Sequence, residues 1–195
     1  MTITEELINN INVCKKCTLH KCRKNAVPGE GSYSAEIMFI GEGPGKDEDI
    51  QGKPFVGASG KILTQLLESI GLSRNDVFIS NVVKCRPPEN RDPLPDEVAA
   101  CWPYLEQQIN IIKPLLIVTL GRHSMARFLV DLKISDVHGQ AKRAKGFWND
   151  RQVYLPLYNP AVALYDPRKK EVLFEDFKQI PLILKKIKKE KNDIQ

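Results

Sequence analysis

Apolar residues along the chain fall into two kinds of run. Four are short and nearly continuous: "EIMFIG" (Glu36–Gly41), "VFISNVV" (Val77–Val83), "LLIVTLG" (Leu115–Gly121) and "QVYLPLY" (Gln152–Tyr158). Runs of this length, closed by glycine or turn residues, predict strands buried on both faces. Pro156 inside the fourth places it near a sheet edge or at a strand end. Between the runs the period lengthens. In "ASGKILTQLLESIG", Ile62, Leu63, Leu66, Leu67 and Ile70 make one helical face that stops at Gly71. Val98, Trp102, Leu105, Ile109 and Ile112 recur at helical spacing in "PDEVAACWPYLEQQINIIK". "RHSMARFLVDL" is expected to be a helix after the third strand, and "PRKKEVLFEDFKQIPLILKKIKK" a closing helix bent at Pro181.

Strands alternating with helices predict an α/β fold, a sheet sandwiched by helices. The four runs end in "GEGPG", "NVVKCRPP", "LGRHS" and "LYNPA". Ligands of open α/β sheets bind at the carboxyl ends of the strands, so these four ends mark the candidate site.

The chain has 195 residues, 42% hydrophobic and 27% charged, which suits one soluble globular domain over 1–195 with a basic tail from about residue 186. No apolar run reaches the ~20 residues of a membrane span. The start "MTITEELINN" lacks the basic-then-apolar order of a signal peptide, so a cytoplasmic protein is expected. The net charge of +5 is compatible with a polyanionic partner, although "LKKIKKEKND" also reads as a solvated helix end.

Five cysteines, an odd number in an intracellular chain, argue against a disulfide framework. Cys14 and Cys17 form a "CKKC" pair that can chelate one metal centre, and Cys85 and Cys101 offer a second pair. Zinc and an iron–sulfur cluster both accept four thiolates, so spacing leaves both open beside buried free thiols. Cys22 is the spare.

"GEGPGKDED" brings glycines to a strand end, but Lys46 stands where a dinucleotide fingerprint needs its third glycine. Neither this loop nor "GKPFVGASGK" is a P-loop. With Glu42, Asp47, Glu48 and Asp49 present, a loop that handles water or reads a base fits better than a phosphate cradle. Asn81 lies in an apolar strand and needs a partner, either structural or the edge of a planar ligand. Phe55, between glycine and proline on a loop, either packs beneath the loop or stacks on a base. The stiff "PPENRDPLP" can hold Asn90 and Arg91 in place or merely connect two elements. His123 and His138 read as structural or solvated.

Together these stretches, with "CKKCTLHKCRKNAVPGEG", "CWPYL" and their order, resemble the family 4 uracil-DNA glycosylases over about Leu7 to Lys185. The resemblance implies a three-layer α/β/α fold around a four-stranded parallel sheet. It implies a [4Fe–4S] cluster on Cys14, Cys17, Cys85 and Cys101, with no ligand role for Cys22. It implies hydrolysis of the N-glycosidic bond of deoxyuridine flipped out of single- or double-stranded DNA, leaving an abasic site. A monomer associated with the nucleoid is expected, with a replication clamp as candidate protein partner.

The implied roles follow the motifs. Phe55 stacks on the flipped ring, Asn81 reads its edge, and backbone groups of Glu42 and Gly43 touch the base. Gly43 stands where related families carry an acid, leaving Glu48 and Asn90 as candidates for the water. Leu164 or Tyr165 enters the duplex, and Lys142, Arg143 and Lys145 contact phosphates. Asn159 stands where the family usually has a histidine that donates to uracil O2; an amide donor there implies a slower enzyme, or one more dependent on mispairing. The first competing reading is a protein that binds uracil or damaged DNA with weak or no catalysis because of Asn159. The second, a nucleotide-binding α/β enzyme, conflicts with the failed phosphate fingerprints.

Overall fold

Six strands form one sheet: β1 (Glu30–Gly31), β2 (Ile37–Gly41), β3 (Phe78–Asn81), β4 (Leu116–Leu120), β5 (Lys142–Ala144) and β6 (Gln152–Leu157). Their spatial order is β1-β3-β2-β4-β6-β5. This computed structural model describes residues 2–146 and 151–193. The four apolar runs are the central strands, and all three pairings among them are parallel. Two short strands that the apolar pattern does not announce, β1 and β5, extend the sheet antiparallel at its edges. β5 pairs only with Gln152–Tyr154, so Pro156 lies past it, where β6 has no strand on its outer side.

Among the described residues eight α-helices accompany the sheet: α1 (Ile3–Asn12), α2 (Lys46–Gln51), α3 (Ala58–Ser69), α4 (Pro95–Ile112), α5 (Arg122–Met125), α6 (Ile134–Val137), α7 (Pro167–Phe177) and α8 (Gln179–Asn192). Strand residues alternate between two cores, as the two-residue period requires. Met38, Ile40, Phe78, Ile117 and Tyr154 pack with Leu7 and Ile11 of α1 and Leu105 and Ile109 of α4. Ile37, Phe39, Ile79, Val118 and Leu155 pack with Leu63 and Leu67 of α3 and with Leu173, Phe177 and Ile180 of the closing helices. That is the expected three-layer sandwich. β3 and β4 flank β2, so the chain order reverses beside β2, and the carboxyl ends of β2 and β4 open a crevice there.

Two helix expectations change. "RHSMARFLVDL" is helical only over α5. Its hydrogen bonds then tighten to three-residue spacing at Arg127 and Phe128, while Phe128 turns in between Trp102 and Tyr154. Burying that ring outweighs continuing the helix. The closing segment breaks at Lys178, three residues before Pro181. The proline ring clashes with the carbonyl four residues back, which belongs to Phe177, so the break falls there.

Candidate active site

The carboxyl ends of the central strands enclose an open cleft of about 750 Å³, lined by Glu42, Gly43, Glu48, Phe55, Asn81, Asn90 and Asn159 among others. Every base-contact and water-handling residue expected from the motifs thus meets in one place.

Asn81 ends β3 and is 1% exposed, yet its Oδ1 has no hydrogen-bond partner among the described residues. A buried acceptor left unpaired costs ~1–3 kcal/mol, a cost that a ligand N–H removes. Gly41 makes room for it: a Cβ there would lie 2.3 Å from Asn81 Oδ1 and 2.7 Å from Phe55 Cζ. Phe55 itself has φ +50°, a left-handed conformation that strains a side-chain-bearing residue by ~1–3 kcal/mol. Two features hold it. Gly60 lets α3 approach so closely that a Cβ there would sit 1.8 Å from the Phe55 carbonyl oxygen. Arg74 donates to the carbonyls of Pro54 (2.6 Å) and Phe55 (3.1 Å) while paired with Glu30.

Asn159 precedes the turn Pro160–Leu164, and its Oδ1 accepts from Ala161 N–H at 2.9 Å. Because a backbone donor must face the oxygen, this cap fixes the amide and leaves Nδ2 as the free donor.

The two water candidates are engaged to different degrees. Glu48 accepts from three backbone N–H groups, those of Gly45, Val56 and Gly57, at 2.9–3.1 Å. It therefore joins the glycine loop to the Phe55 loop and keeps one lone-pair direction for a water. Asn90, on the proline-rich loop, accepts from Arg86 Nε through Oδ1 at 2.8 Å.

Glu42 adds a group that the motif reading treated only as backbone. Its Oε1 is buried with no hydrogen-bond partner among the described residues, and burial pushes its carboxyl above the usual range against the opposing pull of His123. His123, read as structural or solvated, stands at the head of α5 with Nδ1 3.8 Å from Glu42 and Nε2 3.1 Å from Asp92. This chain of contacts connects the ends of β2 and β4 to the Asn90 loop. His138 is structural: it bonds Asp176 at 2.8 Å and packs on Tyr158.

Leu164 and Tyr165 are 42% and 87% exposed at the end of the turn that begins at Asn159, so apolar tips stand beside the cleft. Arg143 is not brought there. It lies on β5 opposite Val153, roughly 20 Å of strand from Asn159, and its guanidinium pairs with Glu190.

On the α4 side of the sheet, Cys14, Cys17, Cys85 and Cys101 line one cavity of about 290 Å³ with Arg23, Lys84 and Tyr104. None of the four is in a disulfide among the described residues, and exposed Cys22 is not among the lining residues. Burial pushes the Cys101 thiol up to about 11 and raises Cys17 and Cys85 as well. A bound metal centre draws off those protons. Arg23 Nη1 donates to Cys85 Sγ at 2.9 Å, and Lys84 N–H donates to Cys101 Sγ at 3.2 Å. Four cysteines around one cavity, with N–H donors aimed at the sulfurs of Cys85 and Cys101, offer a ligand set suited to an iron–sulfur centre.

Arg23, Arg74 and Lys84 escaped the motif reading. Only Lys84 left a sequence signal, as a lysine inside the apolar "NVVKC".

The fold is α/β, with an open cleft where the central strands end. Residues 28–180 match the family model of the Uracil DNA glycosylase superfamily, and the chain belongs to that superfamily. It is 52% identical to the Type-4 uracil-DNA glycosylase of Saccharolobus solfataricus, over 89% of this chain and 83% of the relative. It is 47% identical to that of Archaeoglobus fulgidus over 92% of both chains, and 39% identical to that of Thermotoga maritima over 94% and 96%.

Proposed function

We propose that the protein is a DNA repair glycosylase that extrudes deoxyuridine, releases uracil and leaves an abasic site. The unpaired Asn81 Oδ1 carries the reading: uracil N3–H supplies the missing donor, whereas cytosine presents an acceptor there. Phe55 offers its ring for stacking, and backbone groups of Glu42 and Gly43 complete the base site. A mispaired base costs less to flip, so U·G reacts faster than U·A.

The C1′–N1 bond breaks with its electrons leaving on uracil, water oxygen bonds to C1′, and the proton that this water sheds ends, through solvent, on the uracil anion. Asn159 Nδ2 donates to O2 as the charge grows. Glu48 and Asn90 place the water, and a sugar that develops oxocarbenium character asks mainly for placement. Leu164 or Tyr165 fills the gap in the duplex. The working partner is uracil-containing DNA, single- or double-stranded. The enzyme acts as a monomer in the nucleoid, and a replication clamp is the protein partner to test.

The four cysteines hold a [4Fe–4S] cluster, whose chemistry here is structural. It staples the segment after α1 to the loop after β3 and to α4.

On a uracil-containing oligonucleotide the purified protein is expected to release free uracil and create alkali-labile sites. Binding without release would favour the competing reading in which Asn159 leaves recognition alone. The preparation is expected to be brown and to absorb near 400 nm. Oxidative loss of that colour should lower the melting temperature, and a colourless, zinc-loaded protein would overturn the cluster assignment. Arg74→Ala frees the Phe55 loop. It should raise KM about tenfold with a smaller change in single-turnover rate, the loss of roughly one charge-assisted hydrogen bond. An unchanged KM would show that Arg74 does not support Phe55.

A further inference from the structure

Lys84 is 1% exposed, and among the described residues no carboxylate accepts from its Nζ. Its ammonium donates to Ser80 Oγ at 2.6 Å, Gln108 Oε1 at 2.7 Å and the Asn81 carbonyl at 2.8 Å, which uses all three protons. Gln108 is itself tied to the Pro28 carbonyl through Nε2 at 2.6 Å, so the acceptors are anchored from another segment. The Lys84 backbone N–H donates to Cys101 Sγ, and the next residue is Cys85. One residue therefore touches the cysteine cavity with its main chain and the uracil reader with its side chain.

The contact falls at a sensitive place. β3 ends at Asn81, and the chain continues with Val82 and Val83 bonded to the Gly41 and Glu42 carbonyls. The ammonium, bonded to the Asn81 carbonyl, and the Val82 N–H, bonded to Gly41, hold the peptide plane that follows Asn81 from its two sides. The backbone from which the amide projects is thereby fixed, and among the described residues nothing bonds the amide oxygen to hold it otherwise.

We propose that Lys84 is a positioning residue that couples the cysteine-bound centre to uracil recognition by holding Asn81 in its reading orientation. The proposal rests on the glycosylase reading above. It predicts a defect confined to the base: affinity for the ring falls, and affinity for the DNA backbone does not.

The test compares the wild-type holoenzyme with Lys84→Met, measuring inhibition by free uracil, affinity for DNA carrying a tetrahydrofuran abasic analogue, and absorbance near 400 nm. The expected result is a uracil inhibition constant raised tenfold or more, abasic-analogue affinity within twofold of wild type, and unchanged colour. An unchanged inhibition constant overturns the proposal. So does a parallel loss of both affinities, or loss of colour together with uracil binding, since either makes Lys84 a general support. Should Lys84→Met not fold, Lys84→Gln keeps an amide donor near Ser80 and Gln108 and is expected to show the same selective defect. Failure of both to fold also overturns the proposal. A wild-type enzyme that neither releases uracil from DNA nor is inhibited by it defeats the glycosylase reading itself, an outcome distinct from a variant that matches an active wild type.

Discussion

Asn81→Leu is expected to destroy uracil release and make the protein more stable. Leucine keeps the branching of the asparagine side chain but removes its polar atoms. The Asn81 oxygen is buried against Gly41 with no partner, and relieving an unpaired acceptor is worth ~1–3 kcal/mol. For a domain of this size that corresponds to a rise of about 2–12 °C in melting temperature. Sites built to hydrogen-bond a substrate edge lose roughly 10⁴-fold or more when the pairing fails, so single-turnover uracil release should fall by about that factor. Thermal melting and a uracil-release assay on one preparation decide the matter. A variant that loses stability as well would mean that the oxygen has a protein partner after all. A variant that keeps its activity would remove Asn81 from base recognition.

That prediction combines something the sequence displayed with something it hid. An asparagine within "VFISNVV" stands out because the period offers it no polar face. Phe55 and Asn159 stand out likewise, beside glycine and proline at loop and strand ends. The central sheet was legible because parallel strands buried on both faces leave continuous apolar runs. The edge strands β1 and β5 are two and three residues long, too short to carry a pattern. The supports were hidden for another reason. Arg74 sits in "LSRNDV", which reads as a solvated turn, and its partner Glu30 lies 44 residues earlier. Glu48 reads in the sequence as a group for water, and the backbone amides of Gly45, Val56 and Gly57 that converge on it give it a second task, tying the glycine loop to the Phe55 loop. The Glu42 carboxylate, His123 and Asp92 come from three separated loops, and only the crevice beside β2 brings them together. Local patterns announce residues that conflict with their surroundings, whereas a residue that resolves such a conflict from a distance looks ordinary.

Asn159→His is expected to speed the chemical step at a small cost in stability. The Ala161 N–H fixes the Asn159 amide with Oδ1 inward to the turn, so Nδ2 is the donor left for uracil O2. That donor is present, but it is short and neutral. An imidazole reaches further, and when protonated it brings a full charge to the leaving anion, where a single well-placed donor is worth ~2.7–4 kcal/mol. Exchanging one donor for a better one recovers part of that, so the single-turnover rate on U·A should rise by roughly 10- to 100-fold. The gain should be smaller on U·G, where easier flipping already favours the reaction. The cap on Ala161 is lost in exchange, at up to about 1 kcal/mol. The Gly121 backbone gives the larger ring its space, since even a Cβ there would come within 3.2 Å of Asn159 Cβ. Rates measured on both pairs above and below about pH 6.5, the ordinary titration range of an imidazole, test the argument. Acceleration that fades as the imidazole loses its proton supports charge stabilisation, and a pH-independent acceleration assigns the gain to reach alone. A rate equal to wild type on both substrates would mean that position 159 is not the donor to uracil O2.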